Sequence, residues 1–195
     1  MTIMGAPEMK RTISRIAHEI FERSAQALTA QRLALVGIRR RGVPLAHRLA
    51  VELKGILSGD TIRHRVPDVP VGELDITLYR DDLQMVAEAP VVHGSKIDFD
   101  LNGKQVVVVD DVLFTGRTIR AAISELLDFG RPEAIQLAVL IDRGHRELPI
   151  AADYVGKTVQ TERTDLVDIL VTEEDGKDEV QLTKRNPAGT TKNPE

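Results

Sequence analysis

The chain has 195 residues, 42% of them hydrophobic, with a net charge of -4 and no cysteine. That is enough chain to bury a sizeable core as a single domain, and it excludes disulfides and thiolate metal sites. No apolar run approaches the roughly 18 residues of a membrane-spanning helix and no signal-peptide pattern opens the chain, so a cytoplasmic location is expected.

The first helix is expected from about residue 8 to 28. Ile13, Ile16, Ala17, Ile20 and Phe21 recur at helical spacing and mark its buried face, while Arg11, Ser14, Arg15, His18 and Glu22 fall on another stripe. Residues 33–38 read as a buried strand. The turn Gly37, Ile38, Arg39, Arg40, Arg41, Gly42 follows, with three consecutive arginines between glycines. Guanidinium groups and free amides in such a turn suit a pyrophosphate, although a basic surface turn has the same composition. A helix from Gly42 to about Leu53 carries Pro44 near its first turn. Residues 74–79 alternate like a strand, and a polar segment with Pro and Gly spans about 80–104.

Val106 to Val109 are four β-branched residues in a row, as in a strand of a parallel sheet covered on both faces. Asp110 and Asp111 end it. Val112, Leu113, Phe114, Thr115, Gly116, Arg117 and Thr118 lead into a helix that runs to about Phe129 and is stopped by Gly130 and Pro132. A helix start offers free N–H groups and the positive end of its dipole, which suits a phosphate. The adjacent carboxylates repel a phosphate and suit sugar hydroxyls or a Mg²⁺ ion. A phosphorylated ribose satisfies both demands, although strands ending in two acids also occur in phospho-acceptor and metal-binding α/β domains. Residues 135–141 form a further apolar strand, and Tyr154, Val155 and residues 166–171 shorter ones. Alternating strands and helices predict an α/β fold with a mostly parallel central sheet flanked by helices. Ligands are then expected at the carboxyl ends of its strands. Residues 1–185 are expected to form one domain and 186–195 a flexible tail. Charge is uneven: residues 10–48 hold nine Lys and Arg against Glu19 and Glu22, and residues 162–179 hold eight acids. The division permits a local basic patch on an acidic protein.

The string from Val106 to Thr118 resembles the phosphoribosyl-diphosphate (PRPP) motif of the type I phosphoribosyltransferases. Three further strings, residues 14–19, 74–82 and 135–157, resemble the bifunctional pyrimidine operon attenuators. That family combines a uracil phosphoribosyltransferase with an RNA-binding regulator. The likeness implies transfer of phosphoribose from PRPP to uracil, giving UMP and diphosphate, with Mg²⁺ accompanying PRPP and no metal ligand assigned to the protein. Asp110, Asp111 and Arg80 would be catalytic. Val112 to Thr118 would hold the 5′-phosphate, and Arg39, Arg40, Arg41 and Gly42 the diphosphate, in a turn that often carries a non-proline cis peptide. Residues 80–104 would close over the substrate. Tyr154 would stack on uracil, with Arg143 and the Val155 backbone reading its edges. Ser14, Arg15, His18, Arg23, His145 and Arg146 would contact a leader RNA, more tightly with UMP bound. A homodimer or higher assembly is implied, and no membrane. The chain departs from the family pattern at Ala151, where Arg is usual. It departs again at Thr158, Gln160 and Glu162, in a run that usually reads Gly-Lys-Asn-apolar-Pro-Thr-Ser, and in the Arg-rich turn, which is usually Lys-Thr-Arg. The lost Arg and added Glu lower local positive charge, so a salvage transferase without an RNA role is the alternative.

Overall fold

The computed structural model describes residues 1–60, 68–77 and 94–185. The expected strand–helix alternation produces a five-stranded sheet in the order β3-β2-β4-β5-β6, with every neighbouring pair parallel. Its strands are β2 (Leu33–Ile38), β3 (Val71–Leu74), β4 (Gln105–Leu113), β5 (Ala134–Asp142) and β6 (Tyr154–Thr158). The valine run of β4 is central, paired with β2 on one side and β5 on the other. One face of the sheet is covered by α1 (Ala6–Arg23) and α3 (Gly42–Asp60). There Ile13, Ile16, Ile20, Leu45, Leu49 and Leu53 pack on Leu35, Val107, Val109 and Leu140. The other face is covered by α4 (Arg117–Asp128), whose Ile119, Ala122 and Leu126 pack with Val106, Val108 and Val139. Burial on both faces is why β2 and β4 read as continuous apolar runs rather than alternating ones.

A second, antiparallel sheet has the order β1-β8-β7, from β1 (Thr2–Gly5), β7 (Leu166–Leu170) and β8 (Glu179–Thr183). It brings the first residues beside β8: the Met1 ammonium donates to the Leu182 carbonyl at 2.7 Å. Neither β1 nor β8 is legible as a strand in the sequence, because each is short and its partner lies far along the chain.

Several expected boundaries move. The first helix stops at Arg23, and a short α2 (Ala25–Thr29) follows. Ser24 at the junction is buried, and its hydroxyl accepts from the Gln105 side chain at 2.7 Å. The strand expected at residues 74–79 lies earlier, at Val71–Leu74, and residues 78–79 fall outside the described residues. Lys96, within the segment expected as loop, pairs antiparallel with Glu73 through two backbone bonds of 2.8 Å. Ser95 clamps the same place, accepting from the Asp75 amide at 2.8 Å while its hydroxyl donates to Glu125 of α4. Arg80 and the tail 186–195 lie outside the described residues.

Candidate active site

A cleft of about 780 Å³ opens at the carboxyl ends of β2, β3 and β4, lined among others by Arg39, Arg40, Arg41, Glu73, Asp75, Asp110, Asp111 and Thr118. The structure therefore brings together the basic turn, the acid pair and the head of α4, which the sequence separates by some seventy residues. The Arg39–Arg40 peptide is cis, as the resemblance implies for this turn. Close packing dictates the glycine that follows: a Cβ on Gly42 would stand 2.4 Å from the Val109 carbonyl oxygen and 3.3 Å from Asp110 Cα. Only a bare backbone lets the turn lie directly against the end of β4.

Asp110 is buried at the end of β4, and its carboxylate accepts from the Asp111 amide at 2.9 Å. The Asp111 carboxylate accepts from the Val112 amide at 2.7 Å. Burial pushes the Asp111 carboxyl above its usual range, opposed by hydrogen bonding to Asp110 and to Val112 and by the positive charge of Arg41. Beyond them, Gly116 takes φ 92°, a left-handed conformation that favours glycine, and caps α4. Thr115 and Thr118 flank it, partly exposed.

Two of the three arginines are already paired. Arg39 meets Glu73 at 2.5 Å. Arg41 makes a two-pronged bond with Asp175, Nε to Oδ2 and Nη2 to Oδ1 both at 3.0 Å, and this pairing holds the Asp175 carboxyl at about 2. Asp175 belongs to α5 (Thr172–Asp175) in the acidic segment beside the small sheet. Arg48 of α3 joins the same segment, at 2.6 Å to Glu173 and 2.7 Å to Asp178. The uneven charge along the chain is thus partly an internal ion-pair network, which corrects the expectation of a basic patch for these arginines.

The residues expected to read uracil are not assembled in this cleft. Tyr154 is fully buried. Its hydroxyl donates to Gln136 at 3.1 Å and the Arg23 guanidinium lies 5.3 Å from its ring centroid. No ring face is left for a base, so the expected stacking role is corrected to core packing. Arg143 is also buried, lying 4.1 Å from the Phe114 ring centroid and donating to the Glu162 carbonyl at 3.0 Å. It lines a different cleft of about 730 Å³, with Asp142, Thr158, Thr161 and Asp165. The Val155 carbonyl accepts from Arg15 at 3.1 Å.

Of the residues expected to touch RNA, four lie on α1. Arg15 donates to the Gly156 carbonyl at 2.5 Å and pairs with Glu19, and Arg23 donates to the Asp153 carbonyl at 2.8 Å. Ser14 is half-buried and His18 exposed, the His18 ring 2.8 Å from the Ser14 carbonyl. His145 and Arg146 lie elsewhere, after β5. The His145 ring meets the Thr161 carbonyl at 2.7 Å, and Arg146 pairs with Asp142 at 2.5 Å. Sequence reasoning missed Glu73, Asp75, Asp175 and Glu125. Each is polar and unremarkable in its own string, and only the tertiary pairing gives it a place.

A parallel sheet with two acids and a glycine-capped helix start at the end of its central strand has the arrangement of a phosphoribosyltransferase, and the chain matches the phosphoribosyl transferase domain over residues 2–171. Among solved structures, the hypoxanthine phosphoribosyltransferase of Trypanosoma cruzi superposes with a TM-score of 0.68 at 16% identity, covering 95% of this chain and 97% of that one. At that identity the likeness concerns the fold. Sequence relatives are far nearer. The bifunctional protein PyrR of Thermus thermophilus is 53% identical over 189 residues, 95% of this chain and 97% of its own. That of Roseiflexus sp. strain RS-1 is 58% identical over 174 residues, 89% of each. The chain belongs to the PyrR family of phosphoribosyltransferases.

Proposed function

We propose that this protein transfers phosphoribose from PRPP to uracil, giving UMP and diphosphate, and that with UMP bound it recognises the leader RNA of a pyrimidine operon and favours transcription termination. The observation that carries the enzymatic half is the cleft in which a phosphate cradle, two carboxylates and an arginine-rich turn converge. The head of α4 takes the 5′-phosphate through backbone N–H groups and the hydroxyls of Thr115 and Thr118. Asp110 and Asp111 face the ribose hydroxyls and stabilise positive charge developing at the anomeric carbon. As the bond from that carbon to the diphosphate oxygen breaks and the bond to uracil N1 forms, Arg39, Arg40 and Arg41 hold the departing diphosphate and the uracil N1 proton passes to solvent. Arg80 is the further candidate for the leaving group.

The cleft's charge fits a metal carried on the substrate. Three arginines share its lining with five carboxylates, Glu73, Asp75, Asp110, Asp111 and Glu174. Such a site repels a bare diphosphate and suits one neutralised by Mg²⁺, which supplies Lewis-acid stabilisation of the leaving oxygens. Asp110 and Asp111 are the protein groups beside which it would sit. No cluster of three or more metal-ligating side chains occurs among the described residues.

The regulatory half rests on family membership. Ser14, Arg15, His18 and Arg23 offer one stripe of α1 for phosphates and loop bases. The alternative, a uracil salvage enzyme alone, draws support from the engagement of Arg15 and Arg23 with backbone carbonyls. The test is titration with the pyrimidine-operon leader RNA, with and without UMP, at two salt concentrations, beside a transfer assay. Binding that tightens with UMP and weakens with salt supports the regulator. Binding no better than to scrambled RNA leaves the salvage enzyme, and absence of UMP formation from uracil and PRPP overturns the enzymatic reading.

A further inference from the structure

Arg146 sits on the far side of the loop that joins β4 to α4, and its guanidinium is turned inward, with little of its side chain exposed. Nη1 donates to the Phe114 carbonyl at 2.8 Å, to the Gly144 carbonyl at 3.0 Å and, more weakly, to the Leu113 carbonyl at 3.5 Å. Nε donates to the Ile150 carbonyl at 3.1 Å, and Nη2 pairs with Asp142. The next loop carbonyl, Thr115, accepts from the Glu147 amide at 2.9 Å and the Leu148 amide at 3.3 Å. The Leu113 carbonyl at the end of β4 accepts chiefly from the Arg143 amide at 3.1 Å, so three successive carbonyls are drawn toward residues 143–148, with Arg146 holding the middle one.

A trans peptide holds its C=O and N–H antiparallel. Pulling the carbonyls of Leu113, Phe114 and Thr115 toward Arg146 and its neighbours turns the amides of Phe114, Thr115 and Gly116 the opposite way. No hydrogen bond from these three amides to an acceptor among the described residues is found. Three adjacent unpaired N–H groups facing one way, at the head of a helix, are an anion nest. The segment also packs on the loop from the side: a Cβ on Gly116 would be 3.4 Å from Ile150 and 3.5 Å from Leu148.

We propose that Arg146 is a positioning residue for phosphate binding: it holds the carbonyl side of the loop so that the amides of Phe114, Thr115 and Gly116 present a preformed nest to the 5′-phosphate. Nη1 is committed to the Phe114 and Gly144 carbonyls, Nε to the Ile150 carbonyl and Nη2 to Asp142, rather than to RNA. The inference rests on the proposed phosphoribosyl transfer, and it predicts an effect confined to one end of the ligand. Arg146→Met keeps the apolar stem and removes every donor, while Arg146→Lys keeps the charge and part of the donation.

The experiment is calorimetric titration of wild type and both variants with UMP, with uridine, and with diphosphate plus Mg²⁺. Loss of charge-assisted bonds that order the nest should weaken UMP binding by roughly 10- to 100-fold in Arg146→Met. Uridine and diphosphate, which do not use the nest, should stay within about twofold on the same reasoning, and Arg146→Lys should fall between. Unchanged UMP affinity in Arg146→Met would overturn the proposal. So would an equal loss for UMP, uridine and diphosphate, which would mark a general structural role. If wild type itself failed to bind UMP, the proposed transferase reading would fall and this inference with it.

Discussion

Gly42→Ala is the sharpest single-atom test of how the turn is placed. The added methyl would lie 2.4 Å from the Val109 carbonyl oxygen, with the Val109 carbonyl carbon and Asp110 Cα at 3.3 Å. All three are backbone atoms of the central strand, so no rotamer change can relieve the clash. Restoring an ordinary separation near 3.4 Å requires the turn and β4 to part by about 1 Å. Overpacking of this kind costs about 1–3 kcal/mol, and in a protein this size each kcal/mol lowers Tm by about 2–4 °C. The functional loss should be larger in proportion. If the turn holds diphosphate as proposed, misplacing it by about 1 Å relative to the acids costs about 100-fold in rate. Gly55→Ala in α3 is the control, because nothing lies within 4 Å of the added Cβ. It should stabilise by about 0.4–1 kcal/mol through the unfolded chain. Calorimetry and initial rates of PRPP-dependent transfer measure both. Wild-type Tm and rate in Gly42→Ala would refute the claim that this contact sets the site.

Burial raises the Glu125 carboxyl above its ordinary 4.5; the hydrogen bond from Ser95 works against this, while Asp75 and Asp128 add to it. The folded protein therefore holds this proton more tightly than the unfolded chain. Its contribution is full below pH 4.5 and is lost as pH rises through the folded value. Glu125→Gln should flatten that decline in urea midpoints measured between pH 4 and 8; an unchanged slope would mean that Glu125 titrates normally. Tyr154→Leu keeps an apolar side chain in the core but loses the bond to Gln136 and the cover over Arg23. It should lower stability by about 1–3 kcal/mol while leaving KM for uracil within about twofold. A tenfold rise in that KM would return the tyrosine to the base site.

The parallel sheet, the acid pair at the end of β4 and the helix start that follows are legible because each is local. A valine run reads as a strand covered on both faces, and the loop and helix start after Asp111 belong to one continuous string. The basic turn was equally readable as a position. What could not be read was what its arginines face. Arg41 and Asp175 are 134 residues apart, and nothing near either one signals the other. The same holds for Arg48 with Asp178, for Ser95 with Glu125, and for the pairing of β1 with β8. Tyr154 was misplaced for a related reason: its string matches the family motif, but the covering of its ring is decided by α1, well over a hundred residues earlier. His145 and Arg146 are expected at an RNA surface, and it is the Thr161 carbonyl and the Phe114 carbonyl of the loop after β4 that turn them inward.

The partners of those arginines bear on how the cleft works. Arg39 and Arg41 each lean on a carboxylate, Glu73 and Asp175, and the lining still holds four acids besides Glu73. Asp175 is not itself part of that lining, so the cleft keeps a surplus of negative charge around Asp110 and Asp111. A bare anion arriving there meets repulsion before it meets the turn. A substrate whose diphosphate carries its own cation does not. In the proposed reaction, the same surplus would favour positive charge on the ribose carbon once the diphosphate begins to leave, because field from fixed carboxylates in a partly buried site is weakly screened. Binding selectivity and transition-state stabilisation then come from one arrangement of charges, and both should fail together when Asp111 is made neutral.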